Sequence, residues 1–279
     1  MDWAWRGLEE TQLSVVPAQW SEHVRTTKLL AVIANVLLDD LADVPGRELA
    51  FQASIDRLMG IRPADTGADL EGPYFDLLFA LWQEIEDRAR MLPGWDRYQL
   101  LRRFDYEQDF AAMRYVVLTR SYRGLDNLAE HRAYLPHNMN VMVFATLDLM
   151  STPQAAQHSA ADIGLVRESA WHAQALTQIS TMVVTRRREV AQRDFSSRIF
   201  PLARDAGIVS HAELQALAPR EIVARIEASN VEHRLLAELR SHRARVAEMS
   251  ERESSIDMRR YAHGIDQVVA LYLASKGLV

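Results

Sequence analysis

The stretch that most constrains this chain runs from Lys28 to Asp43, KLLAVIANVLLDDLAD. From Leu29 to Leu38 every residue except Asn35 is apolar, no Gly or Pro interrupts, and three carboxylates follow: Asp39, Asp40 and Asp43. A run of that length without breakers predicts a helix buried over most of its circumference. Residues 39 and 43 lie one turn apart with 40 beside them, so two or three carboxylates share a face. Like charges at that spacing repel, and a buried helix should avoid them unless a cation compensates. An oxygen-only donor set suits a hard ion such as Mg²⁺, which takes a few carboxylates plus water and phosphate oxygens. The alternative is a helix that leaves the core and ends in a solvated acidic turn before Pro45-Gly46.

Around this stretch the chain reads helical almost throughout. Trp3, Trp5 and Trp20 make the first twenty residues too aromatic for a solvated tail and predict that they cover something apolar. Helical periods follow over 47–59, 74–91 and 95–119, separated by Gly/Pro-rich breaks and by a loop over 61–73. The segment 125–150 is helical in period but carries Pro136, which should break or kink it. One long helix is predicted over 159–193, a further pair over 210–250 and a last helix over 256–275. No alternating strand, repeat or low-complexity linker stands out, so the expectation is one all-α domain spanning 1–279, with nine to eleven helices. With 48% hydrophobic and 25% charged residues the composition is that of a globular protein. A net charge of −6 argues against a nucleic-acid partner, so an anionic ligand would need local basic groups or metal. The absence of Cys fits the cytoplasm, and no apolar run reaches the length of a membrane span.

A second stretch, Thr177 to Ser197 (TQISTMVVTRRREVAQRDFSS), places Thr181, Thr185 and Glu189 along one helix face. Two hydroxyls and a carboxylate could ligate another hard cation, and Arg186, Arg187 and Arg188 would supply positive charge for phosphate oxygens. The alternative is an exposed basic turn whose Thr hydroxyls bond back to the i−4 carbonyls.

Taken together, an Asp-Asp-x-x-Asp helix and a later hydroxyl-x3-hydroxyl-x3-Glu helix resemble the class I terpene synthases. The resemblance implies their isoprenoid-synthase helical bundle and three Mg²⁺ ions gripping the diphosphate of a prenyl substrate. Asp39, Asp40 and Asp43 match the first metal motif in full. Thr185 and Glu189 match the second, of consensus Asn/Asp-x3-Ser/Thr-x3-Glu, whereas Thr181 stands where the family has Asn or Asp. Arg188 occupies the place of a basic residue that touches diphosphate. The stretch 131–150, HRAYLPHNMNVMVFATLDLM, looks like the kinked helix lining the family's pocket floor, where an Arg usually senses the diphosphate. Here His137 and Asn138 follow Pro136, with Arg132 as the remaining candidate sensor. Arg260-Tyr261 resembles the pair that closes over the diphosphate. The aspartate motif also lies nearer the N-terminus than the family has it, which implies a trimmed start or one taken late.

The implied activity is ionisation of an allylic diphosphate (C15 or C20, or a pre-cyclised C20) and cyclisation or rearrangement of the cation to a terpene hydrocarbon or alcohol. Such a reaction needs electrostatic stabilisation of the departing diphosphate and a dry pocket for the cation. Phe75, Phe79, Trp82, Phe144 and Trp171 are candidate aromatic walls, with ordinary core packing as the alternative for each. His137 and His172 are candidate bases, with a structural role as the alternative. A homodimer is compatible with this reading. Two other classes stay open: a prenyl-transferring enzyme of the same fold coupling an allylic diphosphate to an acceptor, and a non-catalytic helical protein whose acidic and basic helices meet a partner.

Overall fold

The computed structural model describes residues 2–61, 68–122, 124–153 and 158–274, the side chains of 2 and 3 excepted. The described residues form thirteen α-helices, one 3₁₀ turn and no strand. In order they are α1 (Asp2–Glu10), α2 (Ala18–Asp43), α3 (Glu48–Leu58), α4 (Pro73–Arg90), α5 (Trp95–Ser121), α6 (Leu128–Tyr134) and α7 (Val141–Met150). Then come α8 (Ala160–Gln192), α9 (Ile199–Asp205), α10 (His211–Ala216), α11 (Pro219–Glu227), α12 (Val231–Ser250) and α13 (Met258–Ala274).

The all-α expectation holds, and the expected helix count is corrected upward. The region 210–250 forms three helices rather than two, because Ser210 opens α10 with a capping box and Pro219 sits in the first turn of α11. The short α9 and the N-terminal α1 were not read as helices at all. Residues 62–67 of the expected loop over 61–73 lie outside the described residues; 68–72 form no regular element, and α4 starts at Pro73.

Two long helices organise the rest. α8 packs against α7, α11, α12, α13 and the 3₁₀ turn, while α2 packs against α1, α3, α4, α5 and α7. Pro136 does break the chain as expected. It sits in the 3₁₀ turn Leu135–Met139, and Asn140 at φ 58 redirects the backbone into α7. Asn is among the few residues other than Gly that adopt this left-handed conformation.

α1 runs antiparallel to α13. Gly7 approaches Val268, and Gly264 lies against the Glu10 carbonyl so closely that a Cβ at 264 would come within 1.9 Å of that oxygen. A side chain there would force the two backbones apart. Beyond α1, the Leu13 amide donates to Asp148 Oδ2 (2.9 Å), and Asp148 pairs with Lys28 Nζ (2.6 Å). Both side chains of that pair are fully buried. The N-terminal segment is thereby tied to the floor of the bundle.

Candidate active site

α1, α2, α7, α8 and α13 enclose a cavity of about 390 Å³, within the usual range for ligand pockets of roughly 300–1,000 Å³. Its walls are largely apolar, with Val32 and Val36 from α2, Val141 and Phe144 from α7, and Val268 and Leu271 from α13. Its polar groups include Asp39, Asn35, Asn138, Thr177, Thr181 and Tyr272. One residue of each predicted metal motif, Asp39 and Thr181, therefore lines the same space. α2 is not buried over most of its circumference, as the sequence predicted. One face enters the core through Ala31, Ala34, Leu38 and Leu41, while Val32, Asn35, Val36 and Asp39 face the cavity.

The carboxylates gather at one rim. Asp39 accepts from Asn138 Nδ2 (3.2 Å), which is itself held by Asn35. Burial pushes the Asp39 carboxyl up to about 6, opposed by the Asn138 bond and reinforced by Asp194 and Asp40. Asp43, whose side chain keeps 45% of its surface, is pushed up to about 7, first by desolvation and then by Asp39 and Asp194. Exposure tempers that shift, so the larger weight falls on the more enclosed Asp39 and Glu189. Glu189 is also pushed up to about 7, by burial first, against the bond from Thr185, with Asp194 adding repulsion. The Ser197 hydroxyl also lowers it, although no hydrogen bond of ordinary geometry reaches the buried Oε2 among the described residues. Asp40 lies on the exposed side of the helix end.

Asp194 couples to Asp39, Asp43 and Glu189 together, and it is absent from both motifs. Arg193 ends α8 in the left-handed conformation at φ 60, the Asp194 amide bonds the Glu189 carbonyl (2.9 Å), and the turn swings Asp194 toward α2. Behind Asp39, Asp109 of α5 is wholly buried. Neither of its oxygens is bonded by a described group, and burial holds its carboxyl well above the usual range.

The basic residues divide differently from the sequence expectation. Arg186 is buried and paired with Glu227 and Glu232, and Arg187 pairs with Glu227, so both serve α11 and α12 rather than the rim. Arg188 is exposed and acts on the Glu189 charge. Arg120, which the sequence did not single out, reaches the Asp43 carboxylate (3.5 Å) and the Ala42 carbonyl. Arg132, the candidate sensor, instead pairs with Glu238 (3.5 Å). The Thr181 hydroxyl donates to its i−4 carbonyl, and the single Thr185 proton is shared between its i−4 carbonyl and the Glu189 carboxylate, which leaves both hydroxyl oxygens with lone pairs able to accept.

Of the candidate pocket residues, Asn138 and Phe144 line the cavity. His137 packs at a tilt on Trp171 and bonds Gln174, and neither ring lines the cavity. His172 is taken up by His242 of α12 (2.8 Å). Phe75 and Phe79 stack on each other, and Trp82 packs on Tyr106 and Phe110, all in the α4–α5 layer where apolar stripes meet a core. Trp5 lies under the Arg25 guanidinium and Trp20 against His23, whereas the residues facing the cavity are Ala4, Gly7 and Leu8 of α1 and Thr11 just past it. The Trp3 side chain lies outside the described residues. Arg260 is exposed at the start of α13, and Tyr261 is buried where it feels Asp148, down at the Lys28 floor. The structure does not bring that pair to the rim.

The rim charges set a pH dependence. In the unfolded chain Asp39, Asp43 and Glu189 titrate near 4, and in the fold at about 6 to 7. The folded state therefore binds more protons between those values, and its stability falls as pH rises through that window. In metal-free buffer, Asp39→Asn and Glu189→Gln should each gain melting temperature relative to the parent as pH rises from about 4 to about 7. A difference from the parent that stays constant across that range would show that these carboxylates are not strained by the fold.

Among the described residues no three His, Asp or Glu side chains converge into a preformed metal cage. The donors at the rim are nevertheless all oxygen, and they include an orphaned buried carboxylate oxygen, which is the chemistry a hard divalent cation takes. No protein-family model matches the chain, and no curated protein matches it. No described helix is long and apolar enough to cross a membrane.

Proposed function

We propose that the chain is a Mg²⁺-dependent terpene synthase of the class I type, which ionises an allylic prenyl diphosphate in its α1–α2–α7–α8–α13 cavity. The observation that carries this reading is the shared cavity. Asp39 of the first motif and Thr181 of the second open onto one apolar space, and Asp194 links the charges of both motifs at its rim.

In this reading Asp39, Asp40 and Asp43 hold two ions, and Thr181, Thr185 and Glu189 hold a third. Bound Mg²⁺ would neutralise the diphosphate as the C–O bond breaks and the electron pair leaves with oxygen. Arg188 and Arg120 add positive charge at the same rim. Within the cavity, Val32, Val36, Val141, Val268 and Leu271 exclude water from the cation, and the Phe144 ring offers it a negative face worth about 0.5–2 kcal/mol. A water-soluble diphosphate substrate fits a cytoplasmic enzyme. The same chemistry serves a chain of 15 or 20 carbons.

The direct test is incubation with geranyl, farnesyl and geranylgeranyl diphosphates and a pre-cyclised C20 diphosphate, each with Mg²⁺, with products read by mass spectrometry. Consumption of one of them alone supports a cyclase; consumption only after an acceptor is added identifies a transferase. No consumption of any sinks the reading. A second expectation concerns α1, whose small face closes one wall. Deleting residues 1–10 should raise the share of water-quenched alcohol products several-fold while the helical circular dichroism persists. An unchanged product ratio would mean that α1 only packs the surface.

A further inference from the structure

The cavity holds a tyrosine for which no motif accounts. Tyr272 lies in the last turn of α13, lines the cavity and is hydrogen-bonded to the Thr181 side chain. Tyr261, at the other end of α13, is about three turns away, or roughly 16 Å along the axis. The same spacing separates Lys28 from Asp39 on α2. Lys28, Asp148 and Tyr261 cluster at the floor, and Asp39, Thr181 and Tyr272 at the rim, so α2 and α13 rise from floor to rim together.

We propose that Tyr272, not Tyr261, is the tyrosine that donates its phenolic O–H to the diphosphate group of the bound substrate. The proposal rests on the reading of the cavity as a prenyl diphosphate site. A terminal phosphoryl group gripped by Asp39 and the Thr181–Glu189 face must lie between the two motifs in the cavity they share, and Tyr272 is hydrogen-bonded to Thr181 on that side. Tyr74, the other tyrosine near the acidic helix end, is spent on the Leu37 carbonyl. A phenol carries one O–H donor, which suits an anion. Tyr261 would have to cross the length of α13 to make the same bond, past the Gly264–Glu10 contact that locks α1 against it.

The test measures binding of inorganic diphosphate in saturating Mg²⁺ by titration calorimetry on the full chain, for the parent, Tyr272→Phe and Tyr261→Phe. Each variant removes one hydroxyl and keeps the ring, and unliganded melting curves report whether the fold is kept. A hydrogen bond to a charged group makes Tyr272→Phe about tenfold weaker in diphosphate affinity, or more, with Tyr261→Phe unchanged. Equal affinity of Tyr272→Phe and parent overturns the proposal, as does a loss confined to Tyr261→Phe. If the parent turns over a prenyl diphosphate while Tyr272→Phe binds like the parent, the assignment fails and the functional reading stands. If the parent neither binds diphosphate nor consumes any prenyl diphosphate, both fall together.

Discussion

Asp39→Ala should lower turnover of a prenyl diphosphate by about a thousandfold or more while leaving the unliganded fold at least as stable as the parent. The two halves of that expectation have one cause. Asp39 sits enclosed near Asp40 and Asp194, and its carboxyl is held up at about 6 by burial first and then by those two charges. Removing it relieves repulsion in the metal-free protein. It also takes away a carboxylate that a dication needs, and with it the electrostatic stabilisation of the leaving group. Asp40→Ala should fall almost as far by the same logic. Glu189→Ala should cost nearly as much, because Glu189 is the only anion among the second motif's own residues. Thr181→Asn should retain or improve activity and lower the Mg²⁺ requirement, since an amide oxygen is the better ligand there. Steady-state rates and Mg²⁺ titrations of the four variants, beside melting curves, separate these effects. Parental rates for both Asp39→Ala and Glu189→Ala would mean that the two motifs are solvated helix ends.

How far the sequence could be read depends on what kind of signal each residue leaves. Helix ends marked by local chemistry were legible: Pro45-Gly46 after α2, Ser159 capping α8, Pro136 at the break before α7. The helices missed or merged, α1 and α9 to α11, are six to nine residues long. Fewer than three turns give too few repeats for a 3.6-residue period to stand out. In the site, the pairing of Asp39 with the Thr181–Glu189 helix was legible because both sets keep i, i+4 order on one face. Asp194 and Arg120 were not, since each acquires its meaning only from a partner distant in sequence. Tyr272 looks like one more apolar position of an amphipathic helix until α13 is seen to rise toward Thr181. Conversely, three consecutive arginines look like one basic patch, yet successive positions on a helix point about 100° apart. Arg186 and Arg187 are accordingly claimed by Glu227, and only Arg188 stays toward Glu189.

The largest effect on stability should come from the other end of α2. Lys28→Met should destabilise the fold by about 3–5 kcal/mol, because it leaves Asp148 buried with no counter-charge. Burial presses both partners toward their neutral forms, lowering the Lys28 ammonium and raising the Asp148 carboxyl; their mutual contact resists this, with the Leu13 amide helping on the Asp148 side. A buried pair of this kind contributes little net stability when both members are present, and costs a great deal when one is removed. Lys28→Met with Asp148→Asn should therefore recover most of the loss, since the amide oxygen can still accept from the Leu13 amide without a charge to compensate. The single variant should also loosen the N-terminal segment, because Asp148 holds Leu13 just past α1 and α1 forms a wall of the cavity. Urea unfolding of the parent, both single variants and the double variant gives the coupling energy directly. Hydrogen exchange over residues 4–16 reports the loosening independently. Additive losses in the double variant, or a Lys28→Met protein as stable as the parent, would show that the pair does not act as a unit and that the floor is held by packing alone.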